Sequence, residues 1–107
     1  MRFDNRHIMV VGLGGSGVAA ARYLAAHGAR VSVADVNPAE ARLAELHAFA
    51  PDVDVRRGPF SAATFADVDM LVVSPGVPVA TPAIADFARA GGEVVGDVEL
   101  LGRVIAG

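Results

Sequence analysis

The chain has 107 residues, 53% of them hydrophobic, with no cysteine and a formal net charge of -3, a length that suits one domain with a real core. The missing cysteine excludes disulfides, thiolate metal sites and a cysteine nucleophile, and the acidic balance offers no basic field for nucleic acid. All nine basic residues are arginine, which excludes a Walker-type phosphate loop, because that motif needs a lysine on the phosphates.

The first residues lead into a short apolar run broken by Gly12. That run is neither a secretory h-region nor a membrane span, so a cytoplasmic protein without a membrane partner is the expectation. His7 to Val11 is almost unbroken in its apolarity and reads as a strand buried on both faces of a parallel sheet. Val11-Gly12-Leu13-Gly14-Gly15-Ser16-Gly17 follows, and then an alanine-rich helix is predicted over Ser16 to His27. Its buried face is Gly17, Ala20, Ala21 and Leu24, with Arg22 and His27 outside and Gly28 as the stop. A G-x-G-x-x-G loop between strand and helix leaves the first N–H groups of the helix free to hold an anion. Gly12 makes the tight turn, Gly14 lets a phosphate approach the backbone, and Gly17 lets the helix lie close on the sheet.

Arg30 to Asp35 reads as the second strand. Asn37-Pro38-Ala39-Glu40 predicts a helix start, with Asn37 as cap, Pro38 at the first position and Glu40 closing a capping box. Ala39, Leu43, Leu46 and Ala50 form its inner face, while Glu40, Arg42, Glu45 and His47 face solvent. Val53 to Arg57 is short and charged and suits a sheet edge. Ser61 to Ala66 allows a short helix. Met70 to Val73 is dense and apolar, so it belongs inside the sheet. The Ser74-Pro75-Gly76-Val77-Pro78 loop follows it, stiffened by two prolines. Thr81-Pro82 opens another helix, with Ile84, Phe87 and Ala88 inward and Gly91-Gly92 at its end. Glu93 to Val95 is a fifth strand, and from Asp97 a last helix carries Leu100, Leu101, Val104 and Ile105 as a stripe.

This alternation predicts an α/β fold over residues 1–107: one Rossmann-like, doubly wound parallel sheet of about five strands, with helices on both faces. With strand order 3-2-1-4-5, the topological switch falls between strands one and four. Gly14 to Gly17, Asp35 to Asn37 and Ser74 to Gly76 then share the carboxyl-end rim, where ligands bind in such sheets. Each has two readings. Ser16 caps its helix or donates to a phosphate. Asp35 accepts from a ribose or base, or is a solvated strand-end carboxylate. Ser74 donates to a ligand or closes its turn, and Gly76 admits a ligand or is plain loop. His7, His27 and His47 are scattered without metal-ligand spacing, which points to surface or helix-dipole roles. Asp97 and Glu99 charge a helix N-terminus. No residue reads as catalytic and none as a metal ligand.

The Val11 to Gly17 loop, Asp35, the Val73-Ser74-Pro75-Gly76-Val77-Pro78 segment with Pro82, and Gly96-Asp97-Val98-Glu99-Leu100-Leu101 together resemble the N-terminal domain of the Mur ligases of peptidoglycan synthesis. Within that family the resemblance is to the members that join D-glutamate to UDP-MurNAc-L-Ala. It implies a domain that binds the UDP end of that substrate. ATP and Mg2+ would belong to a central domain and D-glutamate to a C-terminal one, neither present in this stretch, and the stretch alone would be inactive. The parent reaction would pass through an acyl phosphate attacked by the D-glutamate amine, and it needs a phosphate-loop lysine that this sequence lacks. Carried over by position, Gly14, Gly15, Ser16 and Gly17 would hold the diphosphate. Asp35, Val36 and Asn37 would surround uracil and ribose, and Ser74, Pro75 and Gly76 would form the opposite wall. Val36 replaces a hydroxyl residue of relatives and Asn37 an arginine, which leaves backbone groups as the contacts implied there. The alternative function is an NAD(P)-binding module of a dehydrogenase or regulatory protein, which the glycine loop and Asp35 fit equally. A ligand-free interaction domain using the last apolar stripe is a third reading.

Overall fold

The computed structural model describes residues 3–78 and 80–106. Its elements run β1 (His7–Val11), α1 (Gly15–Ala26), β2 (Arg30–Asp35), α2 (Glu40–Phe49), β3 (Asp54–Arg57), a 3-10 turn (Ala62–Phe65), β4 (Met70–Val73), α3 (Pro82–Arg89), β5 (Glu93–Gly96) and α4 (Asp97–Ala106). The five strands form one parallel sheet, as the alternation predicts, and their order is the assumed one, β3-β2-β1-β4-β5.

β1 lies at the centre, and all five of its residues are buried. Because successive side chains alternate across a strand, Ile8 and Val10 enter one core while Met9 and Val11 enter another. The first core receives Ala20, Ala21 and Leu24 of α1, Leu43 and Leu46 of α2 and Leu100 of α4. The second receives Phe65 of the 3-10 turn and Ile84 of α3. Large side chains such as Leu24, Leu46, Leu71 and Ile84 are fully buried, each contributing about 1.5–3 kcal/mol by leaving water. Of the predicted last stripe, Leu100 is buried and Leu101 half-buried, while the Val104 and Ile105 side chains lie outside the described residues.

Three local expectations are corrected. α2 begins at Glu40 with Ala39 as its N-cap, so Asn37 does not cap it and Glu40 does not close a capping box. The cause is Asp35, whose carboxylate accepts the Asn37 N–H at 2.9 Å and holds Asn37-Pro38 in a turn before the helix. Ala39 is accordingly exposed, and so is Ala88 of α3, while Phe87 is half-buried. His7 is no surface residue. It is buried, its Nδ1–H donates to the Asp67 carbonyl at 2.8 Å, and Nε2 lies 2.7 Å from Ser32 Oγ. The edge strand β3 is fastened by Arg56, whose guanidinium donates to Asp54, Asp67 and the Thr64 carbonyl. The hydrogen bonds from Arg56 to Asp67 are the main cause that holds the Asp67 carboxyl down at about 2. Among the described residues no helix is long and apolar enough to cross a membrane.

Candidate functional site

Two loops meet above the switch between β1 and β4. In the first, Gly12 turns the chain out of β1 with φ +90°, a conformation that side-chain-bearing residues avoid. Its N–H donates to the Ala34 carbonyl at 2.8 Å. A Cβ on Gly12 would lie 2.8 Å from both Ser74 Cβ and Val77 Cγ2, so the glycine also lets the second loop close on the first. That second loop is pinned by the Ser74 N–H to the Val11 carbonyl at 2.9 Å and the Val77 N–H to the Ser74 carbonyl at 3.0 Å.

α1 then starts with Gly14 as N-cap and no side-chain cap. The N–H groups of Gly15, Ser16 and Gly17 have no carbonyl one helical turn back, which is the condition for an anion site. Gly17 is buried, and a Cβ there would stand 2.5 Å from the Gly12 carbonyl oxygen and 3.4 Å from Val10 Cγ1. α1 therefore rests on β1 at a distance only glycine permits. At Gly14 the space around a Cβ position is open, as an approach route for a ligand requires.

Asp35 braces this loop. One carboxylate oxygen accepts the Leu13 N–H at 2.7 Å and the other the Asn37 N–H at 2.9 Å. Each oxygen keeps a further lone pair, so bracing and ligand contact are compatible. A cavity of about 580 Å³ opens between the two loops, lined by Gly12, Leu13, Gly14, Asp35, Val36, Pro59, Phe60, Ser74, Gly76, Val77, Pro78 and Thr81. Val36 is 57% exposed, the large hydrophobic side chain left open on this rim.

Of the residues singled out in the sequence, Gly14, Asp35, Val36, Ser74 and Gly76 line this cavity together. Gly15 is exposed beside it, Gly17 is packed beneath the loop, and Asn37 contributes its N–H to Asp35. Pro75 turns to a neighbouring cavity of about 450 Å³ that also touches Asp97. The Ser16 hydroxyl donates to Asp97 at 2.6 Å. Asp97 does lie in the first turn of α4, but it is 0% exposed and its second oxygen has no partner among the described residues. The separation of 81 positions between Ser16 and Asp97 hid that pair from sequence reasoning. Pro59 and Phe60 were missed as cavity residues too, although Gly58-Pro59 after an edge strand is a signal for a chain turning back over the rim. Among the described residues no cluster of three or more His, Cys, Asp or Glu can hold a metal.

A family model described as the Mur ligase MurD-like N-terminal domain matches residues 6–96. A UDP-N-acetylmuramoylalanine--D-glutamate ligase of Chromobacterium violaceum is 67% identical over 107 residues, covering all of this chain and 24% of that protein. The corresponding ligase of Thiobacillus denitrificans is 47% identical over 106 residues and 22% of its length is covered. The chain thus spans about a quarter of the length of these relatives. Among solved structures, a UDP-N-acetylmuramate:L-alanyl-gamma-D-glutamyl-meso-diaminopimelate ligase from Neisseria meningitides superimposes with TM-score 0.69 at 22% identity, over 92% of this chain and 30% of that one. A levodione reductase superimposes with TM-score 0.51 at 27% identity, over 82% of this chain and 43% of that one.

Proposed function

Because the chain belongs to the MurD-like N-terminal domain family of Mur ligases, we propose that its cavity binds the UDP moiety of UDP-MurNAc-L-Ala, for a ligase that adds D-glutamate to that substrate. The observation that carries this reading is the cavity itself. It lies between the glycine loop and the Ser74–Pro78 loop at the carboxyl ends of β1, β2 and β4, where such sheets hold nucleotides. The diphosphate sits at the N-terminus of α1 on the N–H groups of Gly15, Ser16 and Gly17. The nucleoside lies toward Asp35, Val36 and Asn37, with Phe60 on its apolar side and Ser74 and Gly76 on the opposite wall. Since the Ser16 hydroxyl proton goes to Asp97, Ser16 serves the diphosphate through its backbone.

Phosphorylating the substrate carboxylate with ATP and Mg2+, and delivering the D-glutamate amine, need groups this stretch does not contain, a phosphate-loop lysine among them. The stretch therefore works as the substrate holder of a larger catalytic unit in the cytoplasm, with its central and C-terminal domains as partners and no catalytic residue of its own.

Calorimetric titration of the 107-residue chain with UDP-MurNAc-L-Ala, UDP and NADH side by side tests the proposal. Tighter binding of the UDP compounds than of NADH is expected. NADH binding more tightly would overturn it in favour of a dinucleotide module, the reading that a dehydrogenase-like sheet otherwise invites.

A further inference from the structure

The residues lining the cavity include no cation; of the described arginines, Arg6, Arg56 and Arg89 are spent on Glu93, on Asp54 and Asp67, and on Asp86, and Arg22 stacks over Phe49. Arg42 is placed differently. It rises from the first turn of α2 and reaches the glycine loop, where both terminal nitrogens stand 3.6 Å from the position a Cβ on Gly15 would occupy. Its Nη1 donates to both carboxylate oxygens of Glu45, at 3.0 and 3.2 Å. Nη2 and Nε make no hydrogen bond among the described residues.

A guanidinium at this spot is set against the positive end of the α1 dipole, an unfavourable placement for a cation. Glu45 compensates it from one side only. The arrangement becomes favourable on both sides when an anion lies on the first N–H groups of α1, since the free edge of the guanidinium then has an acceptor and the helix end its counter-charge. We infer that Arg42 is a binding residue of this loop. Its Nη2 edge contacts the anionic part of the ligand held by Gly15, Ser16 and Gly17, with Glu45 holding the side chain in position. This rests on the proposed reading of the loop as a diphosphate cradle and adds the charged group that the cradle's backbone lacks. A half-exposed arginine adds a modest, salt-dependent share of affinity specific to the phosphates.

The test measures UDP and uridine binding to the wild-type chain and to Arg42→Gln by calorimetry at two salt concentrations, with thermal unfolding as the check on folding. The wild type should prefer UDP to uridine. Arg42→Gln should weaken UDP roughly three- to tenfold, leave uridine within about twofold, reduce the salt dependence of UDP binding and keep its Tm. Unchanged UDP affinity in the variant, or equal losses for UDP and uridine, would overturn the role of Arg42 while leaving the cradle intact. A wild type that holds uridine as tightly as UDP, or binds neither, would overturn the cradle and the Arg42 role together. In Glu45→Gln, whose amide oxygen still accepts from Nη1 while the competing negative charge is gone, UDP should bind at least as tightly as in the wild type; a loss as large as that of Arg42→Gln would contradict the assigned roles.

Discussion

Gly17→Ala sets two effects of opposite sign against each other. An alanine in a helix is ordinarily about 1 kcal/mol better than a glycine, so the change would stabilise a freely exposed helix. At this position the new Cβ would stand 2.5 Å from the Gly12 carbonyl oxygen. An ordinary carbon–oxygen contact needs about 3.3 Å or more, so the backbone must give by about 0.8 Å, and neither partner is a flexible side-chain tip. α1 has to lift from β1, loosening Val18, Ala21 and Leu24 in the larger core, or the Gly12 turn has to open. Overpacking of this kind costs about 1–3 kcal/mol. Less the propensity gain, the net loss is about 0–2 kcal/mol, and each kcal/mol lowers Tm by about 4–8 °C for a domain of this size. Gly102→Ala in α4 is the internal control, since nothing lies within 4 Å of its Cβ position, and it should stabilise by about 0.5–1 kcal/mol. Urea unfolding of both variants measures the pair. A Gly17→Ala protein stabilised as much as Gly102→Ala would refute the claim that α1 rests on the glycine loop at a distance only glycine allows.

Asp35→Ala removes the acceptor for the Leu13 and Asn37 N–H groups and should cost about 2–3 kcal/mol, with faster amide exchange at Leu13. Exchange at Leu13 as slow as in the wild type would show that Asp35 does not brace the loop. Ser16→Ala leaves the buried Asp97 carboxylate without its donor. A double-mutant cycle of Ser16→Ala with Asp97→Asn should therefore give a coupling of about 1 kcal/mol or more, and a value near zero would contradict the pair. Asp67 is held at about 2 by Arg56, below its unfolded value, so its contribution is present above about pH 4 and is lost as pH falls toward 2. Arg56→Gln should move the Asp67 titration up toward the ordinary carboxylate range, read by NMR, and flatten this part of the pH–stability curve. An unmoved titration would assign the depression to another cause.

The element sequence was legible because it follows from local apolar runs: His7 to Val11 and Met70 to Val73 carry enough continuous apolarity to mark buried strands, and the charged Val53 to Arg57 run marks an edge, while the strand order was an assumption that the pairing bears out. The chain positions of the glycine loop, Asp35 and Ser74 were legible for the same reason, since each follows a strand that the pattern identifies. What stayed hidden depends on side chains reaching across the fold. The start of α2 is displaced by a carboxylate two residues before Asn37, and no capping preference encodes that competition. His7 is buried because Ser32 and the Asp67 carbonyl satisfy its ring from other strands and loops. Arg42 read as a solvent-facing helix residue by spacing, and it does emerge from an outer face, but its long side chain crosses to Gly15. Helical periodicity locates a Cα; it says little about the end of an arginine.

The central claim is that the crevice between the glycine loop and the Ser74–Pro78 loop holds the UDP end of a UDP-MurNAc substrate. It is tested most directly by amide NMR of the uniformly labelled chain titrated with UDP-MurNAc-L-Ala. The largest shifts should fall on Gly14 to Gly17, Asp35 to Asn37 and Ser74 to Gly76, with the amino-terminal ends of the strands, around His7 and Glu93, unmoved. Shifts centred instead on the opposite end of the sheet, or none at saturating substrate, would contradict it.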